Sequence, residues 1–222
     1  MGSWLTFGHD LQEQMPLILS GILNTLQLAF VISITGFLLG IFIFYLTLSQ
    51  NSLMRNAVNG YISFFIGMPL IVLLFLMYYG LPQWGVRLTP FSVAVIGFTL
   101  NVAAYNAAYL KTAFNGMDTS QIEAAQAQGF RPSEIFRYIT LPQVLLSSVP
   151  ALTNQVIANL KDSSITFLIQ YTEFFARMQE LAATNFQFFK AYLLTGLFYL
   201  LAVTLIVLVA RSIERRLQIP SN

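Results

Sequence analysis

The sequence contains no cysteine, which excludes disulfides, thiol nucleophiles and cysteine-ligated metals. Histidine occurs once, at His9 near the amino terminus, so neither a histidine-based triad nor a histidine–carboxylate metal site can be assembled. No Gly-x-x-x-x-Gly-Lys-Ser/Thr run is present, and the chain therefore lacks the loop that cradles nucleotide phosphates. Charge is also scarce. Only 9% of the residues are Asp, Glu, Lys or Arg, against roughly 25% in ordinary soluble domains. A net charge of +2 offers no basic field for nucleic acid. These absences argue against an enzyme, a metal protein and a nucleic-acid binder.

What is abundant is apolar: 56% of the residues are hydrophobic. No charged residue lies between Glu13 and Arg55, between Arg55 and Arg87, or between Arg87 and Lys111. A helix needs about 20 apolar residues to cross the hydrocarbon of a bilayer, so each gap holds a span. Two more apolar stretches follow. The reading is an all-α polytopic membrane protein, a single domain over 1–222, with five transmembrane helices at residues 16–48, 57–79, 89–110, 142–160 and 191–210. The first apolar run is too long for the core of a cleavable signal peptide, and His9, Asp10 and Glu13 replace the expected cationic start.

Local signals punctuate the spans. Pro16 suits the first turn of a helix. Gly67 and Pro69 kink or interrupt the second span. Gly80, Pro82 and Trp84 form a turn at an interface. Residues 161–190 are too apolar for a free loop and read as short helices packed at one membrane face. The positive-inside rule places Arg55, Lys111, Arg131, Arg137, Arg211, Arg215 and Arg216 in the cytoplasm, against Arg87, Lys161, Arg177 and Lys190 outside. The amino terminus is then outside and the carboxyl terminus cytoplasmic, in a bacterial inner membrane.

Residues 111–140 form the one extended hydrophilic link with helix-forming composition. Glu123, Ala124, Ala125, Gln126, Ala127, Gln128 and Gly129 read as a short helix ended by a glycine. Asp118, Thr119 and Ser120 offer capping oxygens, Ser120 with Glu123 fits a capping box, and Gly129 fits a left-handed helix end. Pro132 suits the start of a second helix, and Leu141-Pro142-Gln143 marks entry to the fourth span.

Glu-Ala-Ala, three residues, Gly and then Leu-Pro resembles the signature loop of permease subunits of type I ABC importers. Asn24-Thr25-Leu26, Gly67 with Pro69-Leu70, Tyr78-Tyr79-Gly80-Leu81-Pro82, Ala103-Ala104-Tyr105 and Leu160-Lys161-Asp162-Ser163-Ser164 extend the resemblance to the polar amino acid uptake branch. The resemblance implies a coupling helix at Glu123, Ala124, Ala125 and Gly129 that docks a homodimeric ABC ATPase. ATP is then bound by that partner, and the chain needs no cofactor of its own. A second permease subunit, the same or related, and an extracytoplasmic amino-acid-binding protein complete the implied assembly, surrounded by membrane lipid.

Substrate paths in membranes favour broken helices and inward-facing polar groups. Three places qualify: Gly67, Met68 and Pro69; Asn101, Tyr105 and Asn106; and Gln155, Asn159 and Asp162, which share a helical face at i, i+4 and i+7. Interhelical hydrogen bonding is the competing role for the amides, and Lys161 is the competing partner for Asp162. The chain departs from many relatives of the resembled branch, which carry Arg-Gly-Thr-Pro where Ile66-Gly67-Met68-Pro69 stands, Gln for Leu73, Glu for Ala108 and Arg for Lys111. The missing acid at Ala108 points to a neutral, weakly polar or sulfur-containing amino acid. An ion-coupled secondary transporter or channel subunit using Asp162 or Glu173 is the alternative function.

Overall fold

The computed structural model describes residues 4–216, so both ends of the expected 1–222 domain lie outside the described residues. A short helix, α1 (Trp4–Glu13), precedes α2 (Met15–Thr47). The latter enters with Pro16 in its first turn. Its partner is α5 (Pro90–Asn115), the most buried of the long helices. The two approach closely because α2 places Gly36 and Gly40 one turn apart. A Cβ on Gly36 would stand 2.5 Å from Val102 Cγ1, and one on Gly40 2.7 Å from Asn106 Cβ. Small residues at this spacing let membrane helices touch backbone to backbone. The Thr35 and Thr99 hydroxyls hydrogen-bond across the same seam at 2.6 Å.

The second expected span is broken. Helix α3 (Ser52–Gly67) stops at the Met68–Pro69 junction, and α4 (Leu70–Phe75) leaves at 97° to it through a π turn and a 3-10 turn that end at Trp84. Pro69 has no N–H to continue the ladder and disfavours helical backbone at Met68, which adopts extended geometry. Leu74 on α4 packs over Gly97 of α5 in a core with Leu28, Ile32, Val93, Phe98 and Ile169. Among the described residues, four helices are long and apolar enough to cross a membrane, and the bent pair makes a fifth if counted as one span.

The hydrophilic link is shorter than residues 111–140. Helix α5 runs on to Asn115, and α7 (Pro132–Ile135), a π turn and α8 (Leu141–Asp162) form one long rod that continues as a 3-10 turn to Ile169. Between them lies α6 (Ser120–Ala127), packed against the start of that rod. The segment between the last two spans carries α9 (Phe174–Asn185), and α10 (Phe188–Arg216) starts a turn before residue 191. Phe7 of α1, Ile18 of α2, Met178 and Leu181 of α9 and Ala191 of α10 form a second core at that end.

Candidate functional site

Segments far apart in sequence meet at one cavity of about 470 Å³. The helix break contributes Gly67, Met68 and Pro69, α5 contributes Asn101, Tyr105 and Tyr109, and α8 contributes Gln155 and Asp162. A broken helix leaves terminal carbonyls and N–H groups without helical partners, so backbone polarity faces the space as well. Asp162 is the only carboxylate in this lining. It closes α8 and is exposed, as is Lys161 beside it. Adjacent helical residues diverge, and no direct salt bridge joins Lys161 to Asp162 among the described residues, although their charges act on each other at longer range.

Two amides leave the expected arrangement. Asn159 shares the α8 face with Gln155 and Asp162 in sequence, yet it is 2% exposed and turned to α2. Its Nδ2 donates to Ser33 Oγ at 3.0 Å, and its Oδ1 accepts from Gln155 Nε2 at 2.9 Å. Asn106 likewise misses the main cavity and lines a second one, of about 300 Å³, with Asn159, Gln155 and Ser33. A 22-residue helix packed on α2, α5 and α10 turns different parts of its polar stripe to different neighbours. Ala108 does not reach the lining either.

Backbone and side-chain hydrogen bonds shape the link. Gly129 has φ +81°, its N–H donates to the Gln126 carbonyl at 3.0 Å, and the Phe130 N–H donates to the Ala125 carbonyl at 3.1 Å. That is the Schellman end that glycine permits. Glu123, Ala124 and Gly129 are exposed, whereas Ala125 is buried against its own chain; of the two alanines, only Ala124 is presented outward. The Ser120–Glu123 capping box does not form. Asp118 instead accepts from the Ser120 N–H at 2.9 Å and from the Ser120 hydroxyl at 2.8 Å, and these bonds hold its carboxyl below the usual range. Thr119 donates to Glu123 Oε1 at 3.4 Å. Sequence reasoning missed Gln121 and Gln143, whose side chains hydrogen-bond at 2.9 Å and tie α6 to the foot of α8. Phe136 rests on Phe44 and Tyr45 at the end of α2.

Glu173 lies outside the membrane-crossing helices and is fully buried. Its carboxylate caps α9 by accepting from the Phe175 and Ala176 N–H groups at 2.8 and 2.7 Å. Thr25 of α2 and Tyr199 of α10 each donate to it at 3.2 Å. Burial outweighs these donors and pushes the carboxyl up to about 6.

Residues 36–219 match the family described as binding-protein-dependent transport system inner membrane component. The chain belongs to this family. It is thus a multi-pass inner-membrane transport component of the type I ABC importer kind. A probable amino-acid ABC transporter permease protein, PatM of Vibrio harveyi, is 35% identical over 190 residues, covering 84% of this chain and 85% of that one. The arginine transport system permease protein ArtQ of Bacillus subtilis (strain 168) is 32% identical over 209 residues, covering 92% of this chain and 94% of its own. Among solved structures, an amino acid ABC transporter crystallised with histidines superposes with a TM-score of 0.87 at 28% identity, over 97% of this chain and 99% of that one.

Proposed function

We propose that this chain is the permease subunit of an ATP-driven amino acid importer, and that the cavity between the helix break, α5 and α8 is its substrate path. The observation that carries the reading is the convergence of Gly67, Met68, Pro69, Asn101, Tyr105, Gln155 and Asp162 on one space, in a chain whose relatives are named amino-acid permeases. A free amino acid carries an ammonium and a carboxylate on one carbon. Asp162 supplies the counter-charge for the ammonium, while the backbone groups of the break and the Gln155 amide suit the carboxylate. With one acid in the lining, the substrate side chain is neutral, weakly polar or sulfur-containing.

On this reading α6 is the coupling helix. Glu123 and Ala124 meet a homodimeric ABC ATPase that binds the ATP, while Ala125 and Gly129 hold the helix in shape. Motion passes through the Gln121–Gln143 bond to α8 and through Phe136 to α2. A binding protein delivers substrate at the α9 end, which faces outward, and a second permease subunit completes the pathway. The α6 end and the carboxyl terminus are cytoplasmic.

The test is uptake in proteoliposomes with the cognate ATPase and binding protein. Asp162→Asn and Gln155→Leu should abolish uptake while the ATPase still co-purifies. Glu123→Lys and Gly129→Pro should release the ATPase or leave hydrolysis without uptake. Normal uptake in both sets would refute the assignment, and full competition by arginine or lysine would refute the substrate class. The ion-coupled alternative keeps Asp162 in its favour, because that acid faces the cavity; gradient-driven uptake by the chain alone would establish it.

A further inference from the structure

Beyond the helix break, the segment Leu70–Trp84 forms an arm bent away from α3. Leu74 and Met77 hold it against α5 at Gly97, one turn from Asn101 towards the start of that helix. The first residue of the arm, Leu70, lines the main cavity. Another edge of that cavity is Asp162, where α8 gives way to the 3-10 turn Ser163–Ile169. The arm and this turn therefore lead away from two walls of one space.

They meet again at two consecutive tyrosines. Tyr78 donates to the Gln170 side-chain oxygen at 3.0 Å, and Tyr79 donates to the Leu168 carbonyl at 3.0 Å. Neighbouring residues of an α-helix diverge, so an ordinary turn would spread the two hydroxyls apart. Pro82 has no N–H for the Tyr78 carbonyl, and the ladder widens here into a π turn. In it the Leu81 N–H donates to the Leu76 carbonyl, five residues back, and such winding turns less per residue. The rings brace one another edge to face, Phe75 with Tyr79 at 5.5 Å and Tyr78 with Tyr79 at 4.9 Å. On the other side Gln170 has φ +66°, a backbone that glycine adopts with less strain. Position 170 nevertheless carries an amide, and Tyr78 uses it.

We propose that Tyr78 and Tyr79 are positioning residues of the substrate path, whose hydroxyls clamp the arm to the turn after Asp162 and so fix the edge of the main cavity between Leu70 and Asp162. The inference rests on the reading of that cavity as the path. Neither tyrosine lines it; they act through the two walls they join. Packing of Leu74 and Met77 on α5 holds the arm down but has no direction of its own. The two hydrogen bonds are directional and set its angle.

With no cysteine in the chain, a pair of introduced thiols carries spin labels without background. Leu76→Cys labels the arm at a side chain that is 56% exposed, and Lys161→Cys labels the exposed end of α8; neither residue lines the cavity. Dipolar EPR of this pair in nanodiscs should give one narrow distance distribution. Tyr78→Phe and Tyr79→Phe keep the rings and remove the hydroxyls. Each should raise the population outside the parent peak about fivefold, the strength of one exposed hydrogen bond. Gln170→Gly removes the amide and relieves the backbone, so it should broaden the distribution while the melting temperature holds or rises. Loss of general stability cannot produce that combination, and this variant still decides the question if the double phenylalanine variant does not fold. An unchanged distribution in the double variant or in Gln170→Gly overturns the inference. So does a parent distribution as broad as that of the double variant. The measurement uses neither substrate nor ATPase, so uptake decides the importer reading separately.

Discussion

The side-chain amide of Asn101 donates to the carbonyl of Phe65 at 2.8 Å, and Phe65 is the residue whose helical partner, four positions on, would be Pro69. Proline has no N–H to give, so Asn101 supplies the missing donor from the neighbouring helix. One residue therefore has two uses: it seals the backbone of the broken span and borders the main cavity. Asn101→Leu should cost about 1–3 kcal/mol by orphaning that carbonyl. Pro69→Ala restores a backbone donor, and Asn101→Leu should cost less in that background. Thermal unfolding of the four proteins in nanodiscs measures the coupling; equal costs in both backgrounds would dismiss the link.

The α2–α5 seam makes a sharper demand on volume. Gly36→Ala places a methyl 2.5 Å from Val102 Cγ1, and Gly40→Ala places one 2.7 Å from Asn106 Cβ and 3.3 Å from the Ala103 carbonyl. Each should destabilise by about 1–3 kcal/mol through overpacking. Gly60→Ala on α3 meets nothing within 4 Å and should be neutral or slightly stabilising, since alanine is the better helix former. The contrast is readable by the same melts.

The Glu173 node links stability to pH. Its carboxyl is raised from 4.5 to about 6, so the folded state favours the protonated form. The corresponding stability is full below about pH 4.5 and is lost as pH rises through about 6. The shift corresponds to about 2 kcal/mol at 1.36 kcal/mol per unit. Tyr171, outside the spans, is a titratable group whose charge couples to it; burial and the Glu173 charge raise its hydroxyl above the usual tyrosine value, so it does not titrate in that window. Glu173→Gln should flatten the profile of melting temperature between pH 4.5 and 6.5. A wild-type profile already flat there would count against the burial argument.

Transmission through the link is open to a graded test. The Gln121–Gln143 bond is exposed and worth about 1 kcal/mol, which caps any effect near fivefold. Gln143→Leu should leave the ATPase bound and lower uptake per ATP hydrolysed by up to that factor. Gly129→Ala should act through backbone strain alone, of roughly 1–2 kcal/mol, because nothing stands within 4 Å of its Cβ position. An unaltered ratio of uptake to hydrolysis for Gln143→Leu would remove this bond from the coupling route.

Local rules served well where one segment answered to its own chemistry. The start of α2 at Pro16, the break at Met68–Pro69 and the glycine end of α6 each follow from a residue with a restricted or special backbone, and neighbours do not change that. The same rules failed where two options were locally equal. Asp118 took the capping contacts that Ser120 and Glu123 also fit, because its carboxylate reaches both Ser120 donors. The link contracted because α5 and the rod beginning at Pro132 extend beyond the apolar runs into water, where hydropathy no longer marks helix ends.

By itself the sequence determined that the chain belongs in a bilayer, that its second span breaks at Met68–Pro69, and that a short helix ended by Gly129 stands in the hydrophilic link. These depend on hydropathy over about 20 residues and on proline and glycine backbone limits, which are local quantities. Only the tertiary structure decided which polar residues share a space. Asp162 and Gln155 came to face Asn101 and Pro69, while Asn159 and Asn106 turned to a separate cavity. That division depends on the rotation of α8 against α2, α5 and α10 and on the close approach that Gly36 and Gly40 allow, and helical periodicity along one strand of sequence carries no information about either.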